Sequence, residues 1–148
     1  MKSIDYNTED LEKLSNSDLK KVADYWFRQY LLRELEGEYC FCPLKRKRYH
    51  VSKMHVAHFY DRGIMNTRYD VMNCHLISSQ SNTFDAQIQV EGYKSKHHKE
   101  YQEYLIDKYG QDGFKELTDR SKILKLFKKE DYIKIINTFK NERNTSIS

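Results

Sequence analysis

The sequence predicts an α+β fold that is mainly helical, with a small β-hairpin region flanked by N-terminal and C-terminal helices. Apolar residues recur at helical spacing over 17–36 and again in parts of 95–142. The stretch 38–60 lacks this spacing, contains the chain's one proline, Pro43, and is typical of short extended segments joined by turns. A length of 148 residues suits a single domain, 1–148.

The first predicted helix covers 17–36. Ser17 is the expected N-cap and Gly37 the expected stop, because serine favours helix starts and glycine favours helix ends. Residues 1–14 are polar and acidic, and we expect at most one short turn there. The apolar face of the helix consists of Leu19, Val22, Ala23, Trp26, Phe27, Tyr30 and Leu31.

The centre of the chain predicts two short strands with a loop between them. The first strand carries HVAHFY at 55–60, the loop spans 61–72, and CHLI at 74–77 forms the second strand. SSQSNTFDAQ at 78–87 then has the chemistry of a helix start, since serine favours the N-cap and alanine and glutamine favour helix.

The C-terminal part predicts three helices. The first covers 95–110 and ends at Gly110, because glycine is the usual residue at a helix C-terminus. A shorter helix follows over 111–119, and the last covers 130–142, where isoleucine and aromatic residues repeat at helical spacing.

Charge permits a nucleic-acid partner without requiring one. The chain has 26 Lys and Arg against 22 Asp and Glu, a formal charge of +4. Within 43–68, however, Asp61 is the lone carboxylate among many basic residues, as a phosphate-binding surface requires. We expect recognition of shape and backbone rather than of base sequence. The residues expected to contact phosphate are Arg46, Arg48, Lys53, Arg62 and Arg68.

Composition also predicts a cytoplasmic protein without a membrane segment. No apolar run reaches the ~18 residues of a membrane span, and MKSIDYNTED at the start does not resemble a secretory signal. Three cysteines in such a protein are expected to be thiols. Cys40 and Cys42 are one residue apart, closer than the ~2–4 residues usual in zinc sites, so a structural zinc is not expected.

His58, Asn73 and Asn82 stand in the order strand end, strand start and helix start. This arrangement resembles the HNH, or ββα-metal, nuclease motif. The surrounding residues are similar to the NinG/Rap family of phage recombination endonucleases, with AHF at 57–59, RYDVMNCH at 68–75 and SN at 81–82. The resemblance extends loosely over 18–142 and implies an HNH-like core at about 39–90.

The resemblance implies a metal-dependent DNA endonuclease that hydrolyses phosphodiester bonds in branched recombination intermediates, such as Holliday junctions or D-loops. It implies one divalent cation, Mg²⁺ or Mn²⁺, and a host cytoplasm if a phage encodes the chain. A junction has two symmetric strands to cut, so a homodimer is a reasonable expectation.

The resemblance gives His58, Asn73 and Asn82 separate roles. His58 is the general base, since an imidazole with an ordinary pKa of ~6.5 accepts protons near neutral pH. Asn73 holds the loop, and with it the His58 ring, by hydrogen bonds to the backbone. Asn82 offers an amide oxygen to the metal, a hard ligand that suits Mg²⁺ or Mn²⁺.

The second metal ligand has several candidates. His55 is the first, although residues three apart on a regular strand face opposite sides and a bulge would be needed. Asp61 and Asp85 are the alternatives. His75 matches a family histidine, with phosphate contact and metal ligation both open. Arg68 either contacts phosphate or pins the loop.

Two departures from the family motivate a second hypothesis. Serines 78 and 81 stand where the family carries zinc-binding cysteines, and we expect packing by Tyr39, Phe41 and Tyr49 in place of the zinc. Ala57 precedes His58, where many HNH enzymes carry aspartate. Under this second hypothesis, the chain is a degenerate HNH fold that binds DNA or a protein partner and has no cleavage activity. An HNH nuclease of the restriction or homing type is a third hypothesis.

Overall fold

The computed structural model describes residues 4–33, 35, 37–78 and 96–141, which divide into two units. One unit is drawn from 1–35 and 126–148, and the other from 36–125. The α+β class is confirmed: the described residues form four helices and two two-stranded antiparallel sheets. The helix predicted at 78–87, which would complete an HNH core, lies outside the described residues except for Ser78.

The first unit pairs helix α1, Asn16–Leu32, with the last helix of the chain. The backbone N–H of Asp18 donates to the Ser15 hydroxyl at 3.1 Å, so Ser15 is the N-cap and the prediction of Ser17 is wrong. The helix also ends at Leu32 rather than at 36. Residues Leu11–Lys13 before it form one 3-10 turn, as expected.

The last helix begins at Lys129, ends at Asn141 and agrees closely with the predicted 130–142. Its Phe139 ring packs against Phe27 of α1 at 4.8 Å between centroids and against Tyr30 at 5.0 Å. Burying one such aromatic side chain stabilises the fold by about 1.5–3 kcal/mol. Arg33 also donates from Nη1 to the Phe139 carbonyl at 2.8 Å, which joins the ends of the two helices.

The second unit contains two β-hairpins. Strands β1, Tyr39–Cys42, and β2, Lys47–His50, pair antiparallel across a turn in which Arg46 has φ 56°. Strands β3, Met54–His58, and β4, Cys74–Ser78, form the second pair, and the predicted strand at 74–77 is confirmed. The loop between them contains a short helix, α2, Met65–Arg68, where the sequence predicted only loop.

Helix α3 spans Lys96–Ser121 and changes direction at Gly110, where φ is 78° and ψ is 169°. This backbone conformation is essentially restricted to glycine, so the predicted end of a helix at Gly110 is confirmed. The helix that follows runs to Ser121, two residues past the predicted 119, and buries Leu117. The final helix, Lys129–Asn141, is named α4. None of the described helices is both long and apolar enough to cross a membrane.

Replacing Gly110 by alanine is expected to lower the free energy of unfolding by about 1–3 kcal/mol, because a side chain is strained in this backbone conformation. Space is not the cause, since no atom lies within 4 Å of the added Cβ. Urea unfolding measures the change, and Gln111→Ala in the following turn is the control. An unchanged unfolding midpoint for Gly110→Ala would contradict the assigned strain.

Candidate functional site

His58 stands at the end of β3, paired with Cys74 of β4, and its side chain is half-buried. Its Nε2 lies 2.9 Å from the carbonyl oxygen of Arg68. A carbonyl oxygen only accepts, so Nε2 carries the hydrogen and donates it. The neutral ring is therefore the Nε2–H tautomer, and Nδ1 is its basic nitrogen.

Asn73 is fully buried just before β4 and uses its carboxamide to hold the loop between the two strands. Its Oδ1 accepts from the Tyr60 N–H at 2.8 Å, and its Nδ2 donates to the carbonyls of Tyr60 and Thr67 at 3.1 and 3.0 Å. One side chain thus joins the start of the loop to its middle. These contacts are of the kind that the family resemblance implies for the middle asparagine.

The contacts of Asn73 and His58 meet at two consecutive residues. Asn73 binds the carbonyl of Thr67, and His58 binds the carbonyl of Arg68. The Cys74 thiol also donates to the Arg68 carbonyl at 3.3 Å. The position of the imidazole therefore depends on a stretch of loop backbone that the buried carboxamide fixes.

The outer side of the loop is anchored to the second half of α3. Asp70 accepts from Arg120 Nε at 2.6 Å, and Asn66 donates to the Arg120 carbonyl at 2.7 Å. The hydroxyls of Tyr60 and Thr118 lie 2.6 Å apart. These three contacts attach the outer side of the loop to α3.

The Arg68 side chain is buried and binds loop backbone, so it is not an exposed cation. Its side chain is 5% exposed, and Nη1 donates to the carbonyl of Arg62 at 2.7 Å. Of its two predicted roles, this placement favours pinning the loop. Direct contact of the guanidinium with DNA phosphate is not supported by a side chain buried to this degree.

His75 is also internal, at 8% exposure on β4. The Tyr101 hydroxyl lies 3.0 Å from Nδ1, and the Tyr109 hydroxyl lies 2.9 Å from Nε2. Burial first, and then the charge of Lys108, lower the pKa of His75 from 6.5 to about 3. The ring is neutral at physiological pH and is engaged on both sides, which supports a structural role over the predicted phosphate contact or metal ligation.

Tyr101 links His75 to the backbone next to His58. Its buried hydroxyl donates to the Ala57 carbonyl at 2.8 Å and lies 3.2 Å from the Asn73 carbonyl. Because its one hydrogen is used there, Tyr101 accepts from His75 Nδ1–H. Tyr101 lies within the helix predicted over 95–110, but the sequence did not predict this contact, since nothing local indicates which tyrosine meets a distant histidine.

The described residues do not contain a complete set of ligands for the divalent cation that the resemblance implies. His55 pairs regularly with Ile77, and β3 has no bulge, so His55 lies on the face opposite to His58. Asp61 is exposed, and its Oδ1 accepts from the Gly63 N–H at 2.7 Å. Within the part of the chain that the structure describes, no three His, Cys, Asp or Glu side chains form a metal-binding group. Asn82 and Asp85 lie outside that part.

Four of the five residues predicted to contact phosphate are exposed, and they lie on the first hairpin, on the 3-10 turn Val51–Lys53 and on the loop before β4. Arg48, Lys53 and Arg62 are exposed, as phosphate contact requires. Arg46 is exposed too, but it borders a cavity of about 530 Å³ whose other lining residues include carboxylates of α3. Those acidic residues are Glu100, Glu103 and Asp107. Arg46 is therefore the least suited of the four to bind phosphate.

Cys42, one of the two closely spaced cysteines, lies beside Ser78, which stands where the related family carries a cysteine. The backbone N–H of Ser78 points at the Cys42 sulphur at 3.4 Å, and both residues are buried. Burial and the neighbouring Cys42 raise the pKa of the Cys40 thiol. The expected packing of Tyr39 and Phe41 in place of zinc is wrong, because these rings are 55% and 50% exposed. Ser81 lies outside the described residues.

No protein-family model, curated protein or solved structure matches this chain.

Stability is expected to fall as the pH drops below about 6.5, because the unfolded state then binds a proton that folded His75, with its pKa near 3, does not. The contribution is complete above pH 6.5 and is lost progressively toward pH 3. At pH 5 the loss is on the order of 2 kcal/mol. Urea unfolding at pH 7.5 and pH 5 measures it. His75→Gln is the control, and an equal loss in both proteins would exclude His75 as the cause.

Proposed function

We propose that this chain is a metal-dependent DNA endonuclease of the HNH class, which hydrolyses phosphodiester bonds. The observation that carries the proposal is the fixed imidazole of His58, whose Nε2 donates to the Arg68 carbonyl in a loop held by buried Asn73. A general base needs one orientation and one tautomer. Both requirements are met by residues that occupy the first two motif positions.

In the proposed reaction, His58 takes the proton of the attacking water at Nδ1, since Nε2–H is engaged with the backbone. The water oxygen then forms a bond to phosphorus, the bond from phosphorus to the 3′-oxygen breaks, and the 3′-oxygen leaves with the electron pair and takes a proton from solvent. Asn73 acts without touching substrate, because its carboxamide binds only backbone atoms among the contacts described. It is a positioning residue.

A bound Mg²⁺ or Mn²⁺ supplies charge stabilisation at the phosphate and at the leaving oxygen in such a reaction. Asn82 is the proposed protein ligand, and Asp85 or Asp61 adds a carboxylate oxygen, the donor that Mg²⁺ prefers. His55 is the weakest candidate, because its regular pairing in β3 directs it away from His58.

The proposed substrate is a branched recombination intermediate, such as a Holliday junction or D-loop. Exposed Arg48, Lys53 and Arg62 provide backbone contacts on a chain of modest net charge, +4. A homodimer would present two sites to the two symmetric strands of a junction. The proposed location is the cytoplasm, where these substrates occur in a phage-infected cell.

The alternative function is a DNA-binding module with an HNH-like fold that does not cut. The burial of His75 and Arg68 favours it, because two residues that match family positions serve the interior instead of a substrate. The two functions share the DNA contacts and differ in the role of His58. A cleavage assay on His58 variants therefore separates them.

We expect His58→Ala to reduce Mg²⁺- or Mn²⁺-dependent cleavage of junction DNA about 10²-fold or more, the usual contribution of a general base. Cleavage products of labelled junction, D-loop, linear duplex and single-stranded DNA measure the effect. His97→Ala, which removes an imidazole elsewhere, is the matched control, and circular dichroism checks the fold.

Cleavage by the wild type should disappear in EDTA. DNA binding without cleavage in either metal would favour the binding module, and equal cleavage by His58→Ala would exclude His58 as the base. Defined cut sites on linear duplex would indicate a restriction or homing enzyme instead.

A further inference from the structure

Strand β1 exposes two aromatic rings on one face while its other face is buried. Tyr39 and Phe41 are 55% and 50% exposed, whereas Cys40 and Cys42 between and after them are 4% and 0% exposed. The alternation follows from the two-residue period of a strand. Two large half-exposed rings, two positions apart, therefore lie side by side on one face of the strand.

The partner strand adds charged and titratable groups to the same face. Phe41 lies opposite Arg48 and Tyr39 lies opposite His50, and directly paired residues of an antiparallel sheet share a face. The Arg48 guanidinium donates to the Tyr39 carbonyl at 3.3 Å, and the His50 ring stands perpendicular to that of Tyr39 at 5.6 Å. One carboxylate, Glu38, lies 3.8 Å from His50. These four residues, Tyr39, Phe41, Arg48 and His50, are called the hairpin face.

We propose that the hairpin face binds an unpaired nucleic-acid strand, with bases stacked on Tyr39 and Phe41 and phosphate held by Arg48. Rings two positions apart on a strand are separated by about 6.6 Å, which allows each ring to take its own base. Every base has a flat face, so stacking tolerates any sequence. A duplex hides these faces, whereas an open strand offers them.

Charge selects this occupant over an apolar one. Residues 45–48 are all basic, and the turn leads directly into Arg48 of the hairpin face. A polymer with regular negative charge and flat unsaturated rings complements such a surface in both respects. A second copy of the chain would instead bring two basic hairpins together, which like charge opposes.

The hairpin face belongs to the unit that carries His58. Cys42, at the end of β1, contacts Ser78, at the end of β4, so the two hairpins are joined at this point. A strand bound to the hairpin face is thereby held on the same unit as the candidate base. The inference rests on the proposed function in identifying this strand as the unpaired arm of a branched substrate. Binding itself does not require cleavage.

The test measures binding in EDTA, where no metal-dependent cleavage occurs. Fluorescence anisotropy of a labelled oligothymidylate of about 12 nucleotides gives the dissociation constant. We expect Tyr39→Ala and Phe41→Ala each to weaken binding about 5-fold or more, and Tyr39→Phe and Phe41→Tyr to retain it. Tyr39→Leu and Phe41→Leu keep apolar bulk without a ring and should behave as the alanine variants do.

Lys47→Ala is the charge control for Arg48→Ala. Lys47 pairs with Cys42 on the opposite face, so Lys47→Ala and Arg48→Ala each remove one positive charge but only the second alters the hairpin face. Arg48→Ala should weaken binding more. Equal effects would mean that net charge alone attracts the strand, which overturns the proposal.

Unchanged affinity in the ring variants would also overturn the inference, as would equally ring-dependent binding of blunt duplex. Sedimentation of the protein alone shows whether the rings join two copies of the chain. A dimer that Phe41→Ala dissociates would overturn the inference that the hairpin face binds a nucleic-acid strand. A wild type that binds through its rings but cleaves no DNA in Mg²⁺ or Mn²⁺ fails only the enzyme proposal, and ring-independent binding fails only this one.

Discussion

The second unit depends on one buried carboxamide. Asn73 is inaccessible to water, so every polar atom of its side chain must find a partner inside the protein or cost stability. It finds them on the backbone of Tyr60 and Thr67, and by doing so it fixes a long loop that has little regular structure of its own. The loop backbone then provides the carbonyl that orients the His58 ring.

A series of three hydrogen bonds also holds the backbone of β3 next to His58. Tyr109 donates to His75, His75 donates to Tyr101, and Tyr101 donates to the backbone next to His58. The direction of every hydrogen bond follows from the last acceptor, since a carbonyl cannot donate. This series of hydrogen bonds requires the neutral imidazole of His75. Helix α3 is therefore held most firmly to the hairpin of β3 and β4 at neutral and higher pH.

These contacts bear on both proposals. His75 was expected to contact phosphate or ligate the metal, and Arg68 to contact phosphate or pin the loop, whereas both are buried and bonded inside the unit. The groups that we propose to bind nucleic acid are exposed on the first hairpin, where rings and a guanidinium share one face. A rigid imidazole on one hairpin and a stacking surface on the other would divide positioning and substrate retention between two elements of one unit.

Local pattern by itself determined the long helices, the strand at 74–77 and the break at Gly110, but not the short helix α2, because apolar spacing and the freedom of glycine act within a few residues. The start of α1 was misplaced because Ser15 and Ser17 both suit a cap, and in the structure it is Ser15 that accepts from the Asp18 N–H. The burial of His75 and Arg68 and the exposure of Tyr39 and Phe41 were decided by tertiary structure. Each depends on which distant segment covers a residue, and spacing along the chain carries no record of that.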